Sequence, residues 1–151
     1  MSLRFPYKLV QMGRPIPSLG GRTVRPRPRV LVHLTGPLAS ISRYSILDTG
    51  ADDTIFPDTM ASLIGVDLDQ APTGTARGIA TGSISIKYAT VLMRLHDGHR
   101  GCEWPAIVGF ASAQINLPLL GFAGCLQYFT STFHGDLEEV ELAVNRLYPG
   151  F

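Results

Sequence analysis

The sequence has little cysteine. Its two cysteines, Cys102 and Cys125, lie far apart in the chain, and neither belongs to a Cys-x-x-Cys or Cys/His spacing. That spacing gives no support to a disulfide framework or to a zinc site. Both residues are interpreted as buried thiols in a reducing compartment.

An excess of charge of either sign is also missing. Thirteen Lys and Arg residues balance twelve Asp and Glu residues, which leaves a formal net charge of +1. Such a chain has no overall field that would attract nucleic acid or a membrane surface. No apolar run reaches the length of a membrane span, and the first residues lack the apolar core of a signal peptide. We therefore expect a cytoplasmic protein that binds neither nucleic acid nor membrane.

The balanced charges are unevenly distributed along the chain. Residues 1–29 contain seven basic residues and no acidic one, whereas acidic residues gather near the C-terminus at Asp136, Glu138, Glu139 and Glu141. One interpretation is that both ends are solvated. A second is that the ends attract each other within or between protomers, and a third is that the basic end binds nucleic acid.

Glycine and proline are abundant, with 16 and 11 residues, and they separate short apolar segments that often alternate with polar residues. This pattern is typical of a mostly-β domain, and 151 residues suffice for one core. Residues 1–29, rich in Arg, Pro and Gly, are predicted to form an extended basic N-terminal arm, followed by one domain over residues 30–151. Strands are predicted at 29–34, 42–47, 83–95, 101–110, 128–133 and 137–144.

Other local signals refine this prediction. Asp58 and Gly65 have the residue types that begin and end a helix, so a short helix is expected between them. A second short helix is predicted over residues 122–129. The change of apolar phase within residues 83–95 predicts a β-bulge near Ala89 and Thr90, and the pair Asp97-Gly98 predicts a hairpin turn.

The residues that carry chemistry follow the strand at 42–47. Asp48 leaves an apolar strand directly into Thr49 and Gly50, so its carboxyl group is held against a core. Gly50 permits a close approach that a Cβ would block, and the Thr49 hydroxyl can lock the loop by hydrogen bonding. The alternative is an Asx-type turn in which Asp48 merely caps its own loop.

The run Ile46-Leu47-Asp48-Thr49-Gly50-Ala51-Asp52-Asp53-Thr54 resembles the active-site segment of the retropepsins, the aspartic proteases of retroviruses and their cellular relatives. Later in the chain, Leu119-Leu120-Gly121 resembles the segment that supports the catalytic loop of that family. A Gly-rich stretch at 74–82 occupies the place of the family's flap. The resemblance covers about residues 30–129 and implies an all-β, retropepsin-like acid protease fold, a closed or sandwiched sheet with one or two short helices, in a homodimer.

The resemblance implies an aspartic endopeptidase that acts without metal or other cofactor on a peptide or protein substrate. Asp48 is then the catalytic residue, and because each chain carries one Asp-Thr-Gly, a homodimer must supply the second carboxylate. Three residues are expected to support the loop: Thr49, Gly50 and Ala51. Five are expected to bind substrate: Asp52, Asp53, Gly78, Ile79 and Ala80.

Two departures from the family pattern leave an alternative open. Phe122 stands where an arginine commonly pairs with the residue equivalent to Asp52, so Asp52 lacks its expected partner. Arg77 lies in a flap that lacks the usual dense glycines. A catalytically inactive, retropepsin-like module that binds peptides is therefore the alternative function.

Overall fold

The structure is a computed structural model that describes residues 1–78, 82–112 and 115–150. Within these ranges it contains twelve strands, one α-helix (α1, Asp58–Ile64) and short 3-10 helices at Pro17–Leu19 and Leu126–Tyr128. The strands are, in chain order, β1 Ser2–Pro6, β2 Lys8–Gln11, β3 Val24–Arg27, β4 Arg29–Thr35, β5 Ser40–Leu47, β6 Ile55–Pro57, β7 Thr73–Gly78, β8 Gly82–His96, β9 Gly101–Ala111, β10 Leu119–Leu120, β11 Phe129–His134 and β12 Glu139–Val144. The predicted all-β class with one or two short helices is confirmed.

The main sheet has seven strands in the order β4-β5-β10-β6-β9-β8-β7. β4 also pairs with β8 through residues 32–35 and 92–95, so the first six of these strands close on themselves and β7 extends outward as a hairpin with β8. Closure removes the open edges that a six-stranded sheet would otherwise present. Of the two arrangements expected, a closed or a sandwiched sheet, the main sheet adopts the closed one and forms a barrel.

The residues predicted as an N-terminal arm form strands. β1 pairs with β12 in a three-stranded sheet completed by β11, and β2 pairs with β3. Arg4 forms ion pairs of 2.9 and 3.2 Å with Glu139 and Glu141, and Arg22 pairs with Glu138. Of the interpretations that the sequence left open, attraction between the two ends is the one found, and it occurs within one protomer. The division of the chain after residue 29 stays a prediction.

The hydrophobic core joins buried residues of the closed sheet and of α1 with residues of the three-stranded sheet formed by β1, β12 and β11. Trp104 is fully buried, its indole N–H donates a hydrogen bond of 2.9 Å to the carbonyl oxygen of Gly124, and its ring meets Phe129 edge-on at 5.3 Å. α1 ends at Gly65, which adopts a left-handed conformation with φ of 81° as predicted. The helix begins at Asp58 as predicted, with Pro57 in the N-cap position before it.

The predicted β-bulge near Ala89 and Thr90 is wrong. β8 and β9 pair residue for residue from Ile86 opposite Ala111 to His96 opposite Gly101, with no extra residue on either strand. The apolar phase changes because β8 buries opposite faces along its length. Ile86 belongs to a small apolar cluster, whereas Val91, Met93 and Leu95 point into the main core.

A helix over residues 122–129 is not formed either, and only Leu126–Tyr128 makes a 3-10 turn. Gly124 has φ of 88°, a left-handed conformation that a right-handed helix cannot contain. The backbone N–H groups of Phe122 and Ala123 instead donate to carbonyl oxygens of residues 51 and 52. The left-handed Gly124 therefore interrupts the predicted helix, and the segment before it pairs with the Asp48 loop.

The hairpin predicted at Asp97-Gly98 joins β8 to β9. The Asp97 carboxylate accepts hydrogen bonds from the backbone N–H groups of Arg100, His99 and Arg4. These donors, with that of Arg100 contributing most, lower the pKa of Asp97 to about 2. The bond from Arg4 attaches this hairpin tip to β1, so the carboxylate also helps to hold the N-terminal strand.

Candidate functional site

Asp48 lies at the end of a buried strand. β5 is parallel to β10, with Ile46 opposite Leu119 and Leu47 opposite Leu120. The backbone N–H of Asp48 then donates a hydrogen bond of 3.0 Å to the carbonyl oxygen of Leu120. The two segments that the sequence singled out, 72 positions apart, are therefore adjacent, because Leu120 is the residue that holds Asp48.

The loop that follows is tight. One Asp48 carboxylate oxygen, Oδ1, accepts a hydrogen bond of 2.9 Å from the N–H of Gly50, and the Asp48 carbonyl oxygen accepts one of 3.2 Å from Ala51. The Asx-type turn considered from the sequence is therefore present. It engages one carboxylate oxygen, and no other hydrogen bond to that carboxyl group exists among the residues the structure describes. Asp48 is partly buried, whereas Thr49 and Gly50 are exposed.

Thr49 does not lock its own loop. Its hydroxyl makes no hydrogen bond within the described part of the chain, and its side chain faces solvent. The loop-locking hydrogen bond predicted for the Thr49 hydroxyl is therefore not formed in the described part of the chain. Ala51 does support the loop, since its carbonyl oxygen accepts a hydrogen bond of 2.9 Å from the N–H of Phe122.

Thr54, to which the sequence assigned no role, organises the underside of the site. It is fully buried, and its hydroxyl accepts a hydrogen bond of 3.3 Å from the N–H of Gly121. Its own N–H donates to the carbonyl oxygen of Ala123, and its carbonyl oxygen accepts from Gly109. A polar residue at the start of an apolar run was the available signal, because a buried hydroxyl needs a partner.

The backbone around position 121 is packed so closely that only glycine fits there. A Cβ at this position would overlap the carbonyl oxygen of Asp53 and lie 2.7 Å from that of Ala51. A side chain here would push the backbone of the Asp48 loop away from β10. Absence of a Cβ is thus what lets the second segment support the first.

The carboxyl groups of Asp52 and Asp53 lie in different surroundings. Asp52 is exposed, and its carboxylate has no hydrogen-bond or ion-pair partner among the described residues. Phe122, in the place of the family's arginine, is 61% exposed and supplies no charge. Asp53 is partly buried and accepts a hydrogen bond of 2.9 Å from the hydroxyl of Tyr88.

Tyr88 is a site residue that the sequence did not reveal. Burial, followed by its hydrogen bond to Asp53, raises the pKa of its phenol to about 12. The hydroxyl therefore keeps its proton, and remains a donor, at neutral and acidic pH. The only sequence signal was a hydroxyl at the end of the alternating run Ile84, Ile86, Tyr88.

An open cavity of about 280 Å³ lies between the Asp48 loop and the β7–β8 hairpin. Its loop wall includes Asp52 and Asp53, its floor includes Ile55 and Leu119, and residues 75–77 form the opposite wall. Gly78 ends β7 opposite Gly82. Ile79 and Ala80, also predicted to bind substrate, lie outside the described residues. A larger cavity of about 480 Å³ beside α1 shares no lining residue with the loop.

Other chemistry has no assembled site in the described ranges. No cluster of three or more His, Cys, Asp or Glu residues there is arranged to hold a metal ion. Cys102 and Cys125 are free and buried, and burial raises the pKa of both thiols, that of Cys102 to about 11. Neither thiol is therefore an activated nucleophile. No described helix combines the length and apolar character needed to cross a bilayer.

Comparisons with known proteins agree with the fold. No family model matches this sequence, and no curated protein matches it in sequence. The structure is similar to the crystal structure of a retropepsin-like aspartic protease from Rickettsia conorii, with a TM-score of 0.50 and 16% sequence identity. The match covers 94% of this chain and 90% of the other. This chain therefore has the fold of the retropepsin-like aspartic proteases.

Proposed function

We propose that this protein is an aspartic endopeptidase whose active site forms when two copies bring their Asp48 residues together at a homodimer axis. The observation that carries the proposal is the position of Asp48. Asp48 follows a core strand and is partly buried, and its backbone N–H donates to the carbonyl oxygen of Leu120. The next residues of its loop line the cavity under the β7–β8 hairpin.

Two carboxyl groups are needed for the chemistry. When two aspartates share a site, one stays protonated because both cannot easily carry charge at such short range. The ionised Asp48 takes a proton from a water molecule as that water attacks the peptide carbonyl. The protonated Asp48 donates to the oxyanion that develops. One chain supplies one such carboxyl group, so activity depends on dimerisation.

The surroundings of Asp48 suit this role. The hydrogen bond from Gly50 engages Oδ1 and orients the carboxyl group, which leaves Oδ2 for a water molecule or for the second carboxyl group. Thr49 is exposed beside it, and in the proposed dimer its hydroxyl bonds across the axis. The loop is hydrogen-bonded to residues 120–123 on the side of the core, and Thr49 and Gly50 are exposed on the opposite side.

We propose that the cavity takes an extended peptide. Its wall at residues 75–77 belongs to β7, whose described pairing is with β8 alone, so β7 presents a free edge to which a peptide can add by backbone hydrogen bonds. Asp52 supplies an acceptor for a peptide N–H from the opposite wall. Gly78, Ile79 and Ala80 then close over the substrate.

The test compares two Asp-to-Asn variants with matched local structure. Asp48→Asn should abolish cleavage of an unstructured protein in mildly acidic buffer and leave the unfolding midpoint nearly unchanged, since an amide oxygen still accepts from Gly50. Asp67 is the control, because its Oδ1 accepts from Asp69 in the same turn geometry at 2.9 Å, outside the cavity. Asp67→Asn should keep full activity. Equal activity of the wild type and Asp48→Asn would contradict the proposal.

The Asx-type bond at Asp48 favours one other candidate, the inactive peptide-binding module, because such a turn also occurs where an aspartate only shapes its loop. In that case the wild type and Asp48→Asn would bind peptides equally and cleave none. A dimer structure decides the geometry: a separation of the two Asp48 carboxyl groups too large for a shared water contradicts the peptidase.

A further inference from the structure

Tyr88 joins two parts of the site. On β8 it lies opposite Gly109 of β9, and its N–H donates a hydrogen bond of 2.9 Å to the carbonyl oxygen of Pro72, just before β7. Its ring covers Gly74 of β7, where a Cβ would meet the ring at 2.7 Å. Its hydroxyl reaches Asp53 on the other wall of the cavity.

This contact has no equivalent nearby. Within the described residues, the bond from Tyr88 to Asp53 is the one side-chain hydrogen bond between the hairpin of β7 and β8 and the loop at residues 48–53. Because β7 pairs with β8 alone, the ladder within the hairpin does not set the height of β7 above the loop. β8 is held by β9 from Ile86 onward, and the side-chain bond adds a direct link from Tyr88, at the base of the hairpin, to the loop.

The same bond distinguishes the two neighbouring carboxyl groups. Asp53 has one oxygen occupied by Tyr88, so it serves the structure of the cavity wall. Asp52, the preceding residue, is exposed and has no side-chain partner in the described ranges, so it remains able to accept a hydrogen bond from a ligand.

We propose that Tyr88 is a positioning residue of the site: through Asp53 it holds the β7–β8 hairpin at a set height above the Asp48 loop, and so leaves Asp52 as the acceptor for the substrate backbone. This inference rests on the proposed peptidase function. The residue touches neither the reacting carboxyl group nor the attacking water. Tyr88 keeps the cavity formed before substrate binds, so that the hairpin does not have to become ordered at each binding event.

Tyr88→Phe tests the proposal, because it keeps the ring over Gly74 and removes only the hydroxyl. A lost hydrogen bond at a preformed site should raise KM about three- to tenfold. The value of kcat should change by less than about twofold, because Asp48 is untouched. Amide hydrogen exchange in β7 should accelerate.

Variants of Asp53 test the same bond from its other end. Asp53→Asn should change KM less than Tyr88→Phe does, since an amide oxygen still accepts the bond. The double variant Asp53→Ala/Tyr88→Phe should raise KM no more than the more severe of the two single variants.

Tyr44→Phe is the matched control. Tyr44 is 46% exposed on β5, its hydroxyl makes no hydrogen bond among the described residues, and it lies outside the cavity. This variant should change neither KM nor exchange in β7. If Tyr88→Phe leaves both KM and the exchange rate in β7 at wild-type values, the proposed role of Tyr88 is overturned. The proposed peptidase activity would still stand. An inactive wild type would overturn the peptidase and the substrate role together, and exchange would then report only whether Tyr88 holds the hairpin.

Discussion

Gly121 and Asp53 are in such close contact that no side chain fits between them: a Cβ on Gly121 would overlap the Asp53 carbonyl oxygen. The residues are far apart in sequence, and the contact joins the end of β10 to the loop that carries Asp48. The backbone of the loop therefore rests directly on the backbone of its support. We therefore expect a side chain at position 121 to displace the loop that carries Asp48.

Gly121→Ala should therefore destabilise the protein and reduce activity. Overpacking of a tight backbone contact costs about 1 to 3 kcal/mol in the free energy of unfolding, and displacement of the loop should lower kcat as well. Urea denaturation and initial rates measure both. Gly135→Ala is the control, because a Cβ at Gly135 meets no atom within 4 Å. Equal stability of the two variants would show that the contact relaxes without cost.

Thr54→Val should destabilise the site without changing its shape. The buried hydroxyl of Thr54 accepts the N–H of Gly121, and valine leaves that donor unsatisfied. The free energy of unfolding should fall by about 1 to 3 kcal/mol. Thr90→Val, at an exposed position of β8, should be nearly neutral. Thermal and urea unfolding compare the pair, and a neutral Thr54→Val would mean that Gly121 finds another acceptor.

Stability should decline in acid partly through Asp97. Its pKa is lowered from 3.8 to about 2 in the folded state. The stabilisation from its charged form is therefore present above pH 3.8 and is lost as the pH falls through 2. Asp97→Asn should reduce the decline, whereas Asp136→Asn, at an exposed turn position, should not. Urea midpoints measured across this pH range decide, and parallel curves for the wild type and Asp97→Asn would contradict the prediction.

Phe122→Ala should weaken self-association if the proposed dimer forms. The exposed Phe122 follows Gly121 and is hydrogen-bonded to the Asp48 loop, so a dimer axis at Asp48 brings its ring to the interface. Loss of a buried aromatic contact costs about 1 to 2 kcal/mol, which raises the dissociation constant roughly tenfold. Leu63→Ala, removing a side chain 57% exposed on α1, is the control. Sedimentation velocity over a concentration series measures both, and equal constants would place Phe122 outside the interface.

The sequence was most informative where structure is local. Residues near Asp48 and at 119–121 were recognised because their order in the chain resembles a family pattern, and α1 ended at Gly65 as the glycine indicates. Local rules failed at residues 122–129 and in β8. At residues 122–129 the left-handed Gly124 interrupts the helix, and in β8 the buried face changes along the strand because its two halves pack into different apolar clusters.

By itself, the sequence determined three features: the all-β class, the strand that leads into Asp48, and the glycine at position 121 that allows a close backbone contact. These features depend on residue type and on the alternation of apolar residues. The tertiary structure alone decided that Thr54 supports Gly121, that Tyr88 engages Asp53, and that Asp52 is left exposed. Thr54 and Gly121 are 67 positions apart and Tyr88 and Asp53 are 35 apart. Hydrogen bonds over such distances exist only because the strand order β10-β6-β9-β8 brings these residues together, and no local pattern in the chain encodes that order.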